Sequence, residues 1–208
     1  MNILLFGATG DMGQLVLRTA LKADHKVKAF VRNPAGITLE DKNLIVVKGN
    51  ITDTKSIESA LSKVDVVIST LGSKSFTKHD TILIEGLRHI LEAMQNSSVK
   101  RLIFISAFGV GETYREAGFI SKILFSTLLR IPYADKLEQE KLVKGSKTDW
   151  TLIHPARLTT DPSVGKYKVG EHLHLSSNST ISRAGVADFI VKQVDSKEFI
   201  KQSVTIGS

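Results

Sequence analysis

Three glycines at GxxGxxG spacing, Gly7, Gly10 and Gly13, stand directly after an apolar segment, Asn2–Phe6, and directly before a segment of helical spacing. Without Cβ atoms, the first two allow a tight turn and let a large anion approach the backbone. The third lets the helix pack closely on the strand. A helix that opens there presents unpaired N–H groups and the positive end of its dipole, both of which favour phosphates. Strand, glycines and helix in this order make a dinucleotide the expected ligand. Gly7, Thr9, Gly10, Asp11, Met12 and Gly13 are the residues expected around its diphosphate.

The rest of the chain repeats the strand-then-helix order. Runs rich in Val, Ile and Leu recur at Asn2–Phe6, Val27–Val31, Leu44–Lys48, Val64–Thr70, Arg101–Ile105 and Trp150–His154. Uniformly apolar strands of this kind imply a sheet covered on both faces. Between them, Met12, Leu15, Val16, Ala20 and Leu21 share one helical face. Ile57, Ala60 and Leu61 do the same, as do Ile82, Leu83, Leu87, Ile90, Leu91 and Met94. The alternation predicts an α/β fold, a doubly wound parallel sheet of Rossmann type with helices on both faces. After His154 the pattern loosens around Pro155, Pro162, Gly165 and Gly170. It recovers in a helix near Arg183–Val194 and a strand at Ser203–Ile206, read as a small C-terminal substrate-side extension. With 208 residues and no linker-like break, one domain spanning 1–208 is expected.

Ligands of such sheets bind beyond the carboxyl ends of the strands, which directs attention to the residues there. The second strand ends in Val31-Arg32-Asn33-Pro34, with no acid before Glu40 to hold a ribose 2′-hydroxyl. An arginine at this place offers a forked cation for a 2′-phosphate, so NADP(H) is expected in preference to NAD(H), with Arg32 reading the phosphate. After the third strand, Asn50 and Ile51 are placed to meet the adenine, whereas Asp53 looks like a helix cap. After the fourth, Leu71 and Gly72 let backbone lie against the cofactor.

Together these segments resemble the atypical short-chain dehydrogenase/reductase group, in particular its NAD(P)H-binding, NmrA-like branch, which includes proteins similar to flavin reductase/biliverdin reductase B. The resemblance runs over nearly the whole chain. Its more specific markers are Asp149-Trp150-Thr151-Leu152-Ile153-His154-Pro155-Ala156 and Ile181-Ser182-Arg183-Ala184-Gly185-Val186-Ala187-Asp188-Phe189. It implies that Ser106 and Ala107 lie beside the nicotinamide, with the backbone of Pro155 near the same ring. His154 stands where the branch usually has Arg. Active members pair Tyr and Lys at YxxxK spacing, the lysine holding the ribose and lowering the tyrosine pKa. Lys136, four residues before Glu140, matches that lysine, but Pro132 occupies the tyrosine position. Tyr133 is one place late, a rotation of about 100° on a helix. It reaches the site only if the helix begins irregularly after Pro132. Ser106, Tyr133 and Lys136 are therefore the candidate catalytic residues.

Other chemistries find less support. Cysteine is absent, which excludes disulfides and thiolate metal sites. The six histidines show no HExxH spacing; His172 and His174 would share a strand face but lack a third ligand, so no metal is expected. No GxSxG elbow surrounds Ser106, and the glycine turn is not of the GxxxxGKS type. The net charge of +7 is spread along the chain without clustered aromatics, so it predicts no nucleic-acid partner. The opening residues carry no basic, apolar or cleavage-site pattern of a signal peptide. The longest apolar run, Phe119 to Leu129, is too short to span a bilayer. A cytoplasmic protein without a membrane partner is expected. That run is expected to be a helix buried on the core, or else the wall of a substrate pocket or the surface of a homodimer. The residues point to an oxidoreductase that passes hydride from NADP(H) to a small-molecule acceptor such as a flavin or quinone. A non-catalytic NADP(H)-binding redox sensor is the alternative.

Overall fold

The computed structural model describes residues 1–208 apart from 74, 117, 172, 174 and 177, and apart from the side chains of 119, 120 and 121. His172 and His174 thus lie outside the described residues. Strands β1 (Asn2–Phe6), β2 (Lys26–Val31), β3 (Leu44–Lys48), β4 (Val66–Ser69), β5 (Arg101–Ile105) and β6 (Asp149–Pro155) occur where the apolar runs predict them. The remaining strands are β7 (Arg157–Thr159), β8 (Lys168–Gly170), β9 (Thr180–Ser182) and β10 (Gln202–Gly207). The main sheet has the order β3-β2-β1-β4-β5-β6-β10-β8. All neighbours in it are parallel except β8, which runs antiparallel to β10. The order reverses between β1 and β4, so the crevice of a doubly wound sheet opens above those two strands.

Alternation along each strand divides the core in two. Ile3 and Leu5 of β1 face helices α1 (Asp11–Lys22) and α6 (Arg183–Asp195), where Val16, Leu17, Ala20, Val186 and Ile190 are buried. Leu4 and Phe6 face the opposite layer, formed by α2 (Thr54–Ala60), α3 (Thr81–Gln95) and α5 (Arg130–Gly145), with Ile57, Leu87, Ile90, Met94 and Val143. Each fully buried side chain of this kind contributes roughly 1.5–3 kcal/mol relative to exposure. The C-terminal tail divides as well. Its α6 and β10 complete the cover and the sheet, while β7 and β9 pair separately beside it.

Two expectations are corrected. β3 is not covered on both faces: Ile45 is 57% exposed and Val46 is 37% exposed. The reason is its place at the edge, with only β2 beside it; an apolar run does not say which strand lies outermost. The apolar stretch at 119–129 is not a buried core helix either. It forms α4 (Phe119–Ser126) and the turn after it, and leaves Ile123, Leu124 and Leu128 exposed. Helix α5 begins at Arg130, before Pro132, because a proline in the first turn lacks only an N–H that has no partner within the helix.

Candidate functional site at the carboxyl ends of the strands

At the switch point the geometry of the turn requires glycine at Gly7 and Gly13. Gly7 has φ +83°, and an ideal Cβ there would stand 2.6 Å from Thr70 Oγ1 and 2.9 Å from the Thr70 carbonyl carbon. The Thr70 hydroxyl donates to the Phe6 carbonyl at 3.0 Å, which ties the ends of β1 and β4 together. A Cβ on Gly13 would lie 2.0 Å from the Gly7 oxygen, so helix and turn touch through backbone alone. Gly10 differs, because its Cβ would meet only the Gly7 oxygen at 3.5 Å, an ordinary contact. It caps α1 without a side chain, leaving the amides of the first helical turn, at Asp11, Met12 and Gly13, to an outside acceptor. An added methyl would meet nothing else of the protein within 4 Å. The residues present fit a diphosphate, and nothing of the protein fills the cradle from Gly10 itself.

Around this turn the other strand ends take up their places. Arg32, immediately past β2, is exposed and has no partner among the described residues. Asn33 beside it accepts the Ala35 amide at 3.1 Å, bending the chain into a 3₁₀ turn over Pro34–Gly36. A Cβ on Gly36 would stand 2.8 Å from the Thr9 methyl, so that turn rests on the glycine loop. Asn50 is exposed; its side-chain oxygen accepts the Thr52 amide at 3.2 Å. Ile51 packs under Gly86 of α3. Asp53 accepts from Lys55 and Ser56 and caps α2, as its position predicts. Gly72 has open space about its Cα.

The ends of β4, β5 and β6 meet α5. Lys136 Nζ donates to the carbonyls of Leu71 at 2.9 Å and Ile105 at 2.8 Å, and lies 4.6 Å from the centre of the Phe104 ring. Burial pushes its ammonium down to about 8, with the Glu140 carboxylate one turn away opposing the fall. One turn further along α5, Glu140 is almost wholly buried. Its Oε1 accepts the Ser106 hydroxyl and also His154 Nε2 at 2.8 Å. Burial is the largest influence on this carboxyl and would raise its pKa. The hydrogen bonds and charge from His154, the Ser106 hydroxyl and the charge of Lys144 together outweigh it and hold the group below the ordinary glutamate range. His154 Nδ1 is buried without a partner among the described residues. Pro155 closes β6, and its carbonyl accepts the Phe108 amide at 3.1 Å. Because the carboxylate stands between serine and histidine, the cluster lacks the serine–histidine contact that a hydrolytic nucleophile requires.

Tyr133 does not join Lys136. Its phenol donates to the Phe108 carbonyl at 2.9 Å, and burial pushes it up to about 12. Its ring stacks 4.9 Å from Phe125, which in turn lies 6.4 Å from Tyr114, giving an aromatic wall over the loop after Ser106. A Cβ on Gly109, which has φ +94°, would stand 2.2 Å from the Phe125 ring, so the wall sits directly on that loop.

The sequence places Ser106 after the fifth strand and Lys136 on a helix, and the structure has Ser106 just past β5 and Lys136 in α5. Sequence reasoning missed the carboxylate joining Ser106 to His154. Two signals were available: Glu140 shares a helical face with Lys136, and His154 is a lone imidazole in an otherwise apolar strand segment, Leu152–Pro155.

A cavity of about 460 Å³ lies elsewhere, at the opposite end of the sheet, lined by Arg88, Leu91, Glu92, Met94, Lys100 and Leu142 among others. It is bounded by the carboxyl ends of α3 and α5, where the partial negative charge of the helix dipoles opposes an anionic ligand. The crevice over β1 and β4, at the other end, is the candidate dinucleotide site.

Comparison with known proteins gives the family and the fold. The family model for NAD(P)H-binding proteins matches residues 7–197. The uncharacterized sugar epimerase YhfK of Bacillus subtilis (strain 168) is 28% identical over 205 residues, covering 95% of this chain and 89% of its own. Reductase pytE of Aspergillus terreus is 26% identical over 256 residues, covering 99% and 97%. Among solved structures, a wide-type short-chain dehydrogenase/reductase from Veillonella parvula DSM 2008, in complex with NADP, superposes with a TM-score of 0.81. It is 20% identical and covers 100% of this chain and 94% of its own, a likeness of fold.

Proposed function

The chain belongs to the NAD(P)H-binding family, and from that premise we propose that it is an NADP(H)-dependent reductase acting on a small planar acceptor such as a flavin or quinone. The observation that carries this reading is the separation of Lys136 from Tyr133. The lysine is held at the ends of β4 and β5, while the phenol is engaged by Phe108 and raised to about 12. A site with the lysine but no free phenol is poorly made for alcohol and ketone chemistry that needs tyrosine as acid. It suits acceptors reduced chiefly by being held face to face with the cofactor. The aromatic wall of Tyr114, Phe125 and Tyr133 beside the Ser106 loop supports a flat acceptor.

When bound, the reduced nicotinamide supplies the hydride. The chain's part is to hold and orient. The α1 amides would take the diphosphate, the remaining N–H of Lys136 would serve the nicotinamide ribose, and Arg32 would take the 2′-phosphate. Arg32→Asp is expected to weaken NADPH by roughly 1–3 kcal/mol, the loss of a charge-assisted contact, and NADH far less. Parallel fluorescence titrations check this, and equal losses would take the phosphate away from Arg32.

Lys136 predicts two pH effects of opposite sign. Raising the pH through about 8 discharges its ammonium, so NADPH binding weakens above that value. The folded pKa lies below the unfolded one, so the unfolded chain holds more protons between them. Stability contributed by this group therefore rises over the same window. Lys136→Met abolishes both trends, measured as Kd and Tm against pH.

The proposal is tested by mixing protein with NADPH and then adding riboflavin or a 1,4-naphthoquinone. Oxidation of the bound cofactor supports a reductase, and stable binding against both acceptors favours a sensor.

A further inference from the structure

A second polar pair stands at the carboxyl ends of the strands, apart from the cluster around Glu140. Asp135 precedes Lys136 on α5 and is 3% exposed. Its Oδ2 accepts the Asp80 amide at 2.8 Å, and its Oδ1 meets His79 Nδ1 at 2.5 Å. His79 has 60% of its side chain exposed, and its Nε2 has no partner among the described residues. The connection from β4 to α3 that carries His79 starts at Leu71 and Gly72, and the Leu71 carbonyl is one of the two that hold Lys136. A buried carboxylate on one ring nitrogen fixes the tautomer and direction of an imidazole.

Three other proton-bearing groups at this end of the sheet are engaged. The Tyr133 phenol donates to Phe108, the Ser106 hydroxyl donates to Glu140, and Lys136 donates to two carbonyls. His79 alone among these groups combines a fixed ring with a nitrogen open to an incoming molecule. We infer that His79 Nε2 is the proton donor to the acceptor and Asp135 its positioning residue, an inference that rests on the reductase reading above. It narrows the acceptor class to quinones and similar carbonyl compounds, whose reduced form takes up a proton at oxygen. Reducing such an acceptor consumes one hydride, with its electron pair, from NADPH and one proton. Nε2 gives that proton to the acceptor's oxygen, the ring becomes neutral, and the exposed edge recovers a proton from solvent.

The test uses the full chain, NADPH and a 1,4-naphthoquinone. His79→Gln is expected to lower kcat by about 100-fold, the lower end for loss of a general acid, with the Kd for NADPH unchanged. Added imidazole should restore part of the rate to His79→Ala. Asp135→Asn should lower kcat by a smaller factor. Nitrogen-15 NMR of the protein without cofactor supplies a readout apart from turnover: neutral His79 carries its proton on Nδ1 in the wild type. Asp135→Asn shifts it toward Nε2, because an amide N–H can face Nδ1. Wild-type kcat in His79→Gln, or a neutral wild-type ring that carries its proton on Nε2, overturns the assignment while leaving the reductase reading intact. Failure of the wild type to oxidise NADPH with the quinone overturns that reading, and this inference with it.

Discussion

Glu140→Ala is expected to destabilise the protein by about 3–5 kcal/mol, a fall in Tm of roughly 6–20 °C for a chain of this size. The carboxylate is 2% exposed and is the shared acceptor of Ser106 and His154. Its removal leaves a buried hydroxyl and a buried imidazole nitrogen without partners, beside a Nδ1 that already has none. Glu140→Gln keeps the shape and an accepting oxygen, so its loss should be smaller, and the two variants separate charge from packing. The pH dependence has a definite sign. Glu140 is held below the ordinary glutamate range, so its stabilisation is present above that range. It disappears as the pH falls through the folded value. Thermal melts in acid should therefore fall more steeply for the wild type than for Glu140→Gln. Parallel acid profiles would remove the ionised Glu140 carboxylate from the account of the site.

The second large effect comes from two glycines that differ in what surrounds them. Gly13→Ala drives a methyl to 2.0 Å from the Gly7 oxygen and 2.7 Å from its carbonyl carbon, backbone atoms that cannot turn aside. It should cost about 3 kcal/mol or more in stability, the upper range for overpacking, and abolish NADPH binding with it. Gly10→Ala meets only an ordinary contact at 3.5 Å, so its Tm should stay within a few degrees of the wild type. The methyl nevertheless adds bulk at the cap of α1, where the proposal seats the diphosphate. It should weaken NADPH by about 100-fold, close to the 3 kcal/mol carried by one or two charge-assisted hydrogen bonds. Calorimetric titration and melting of both variants check the contrast. A Gly10→Ala protein that binds NADPH normally would mean that the diphosphate does not lie on this turn.

The contrast between these glycines also shows what a sequence can carry. The glycine turn, the strand segments and the cap at Asp53 are marked by residue types at short spacing, and local chemistry predicts each of them. Exposure of Ile45 and Val46 depends on which strand lies at the edge, a property of strand order that an apolar run does not encode. Ile123, Leu124 and Leu128 look like core residues by composition, yet no layer of the fold remains to cover them. Tyr133 was legible as one place out of register with Lys136. Where its phenol goes instead depends on the loop after β5, which the helix meets only in three dimensions. Glu140 and His154 stand 14 residues apart and His79 and Asp135 stand 56 apart, so neither pair leaves a spacing signature. Packing of α5 against the strand ends brings both together.

The measurement closest to the central claim is a fluorescence titration of the wild-type chain with NADPH and, in parallel, NADH. Saturable binding of NADPH, tighter than that of NADH, is the predicted result. Absence of binding by either nucleotide would contradict the assignment of the Gly7–Gly13 turn, and with it the reductase built upon it.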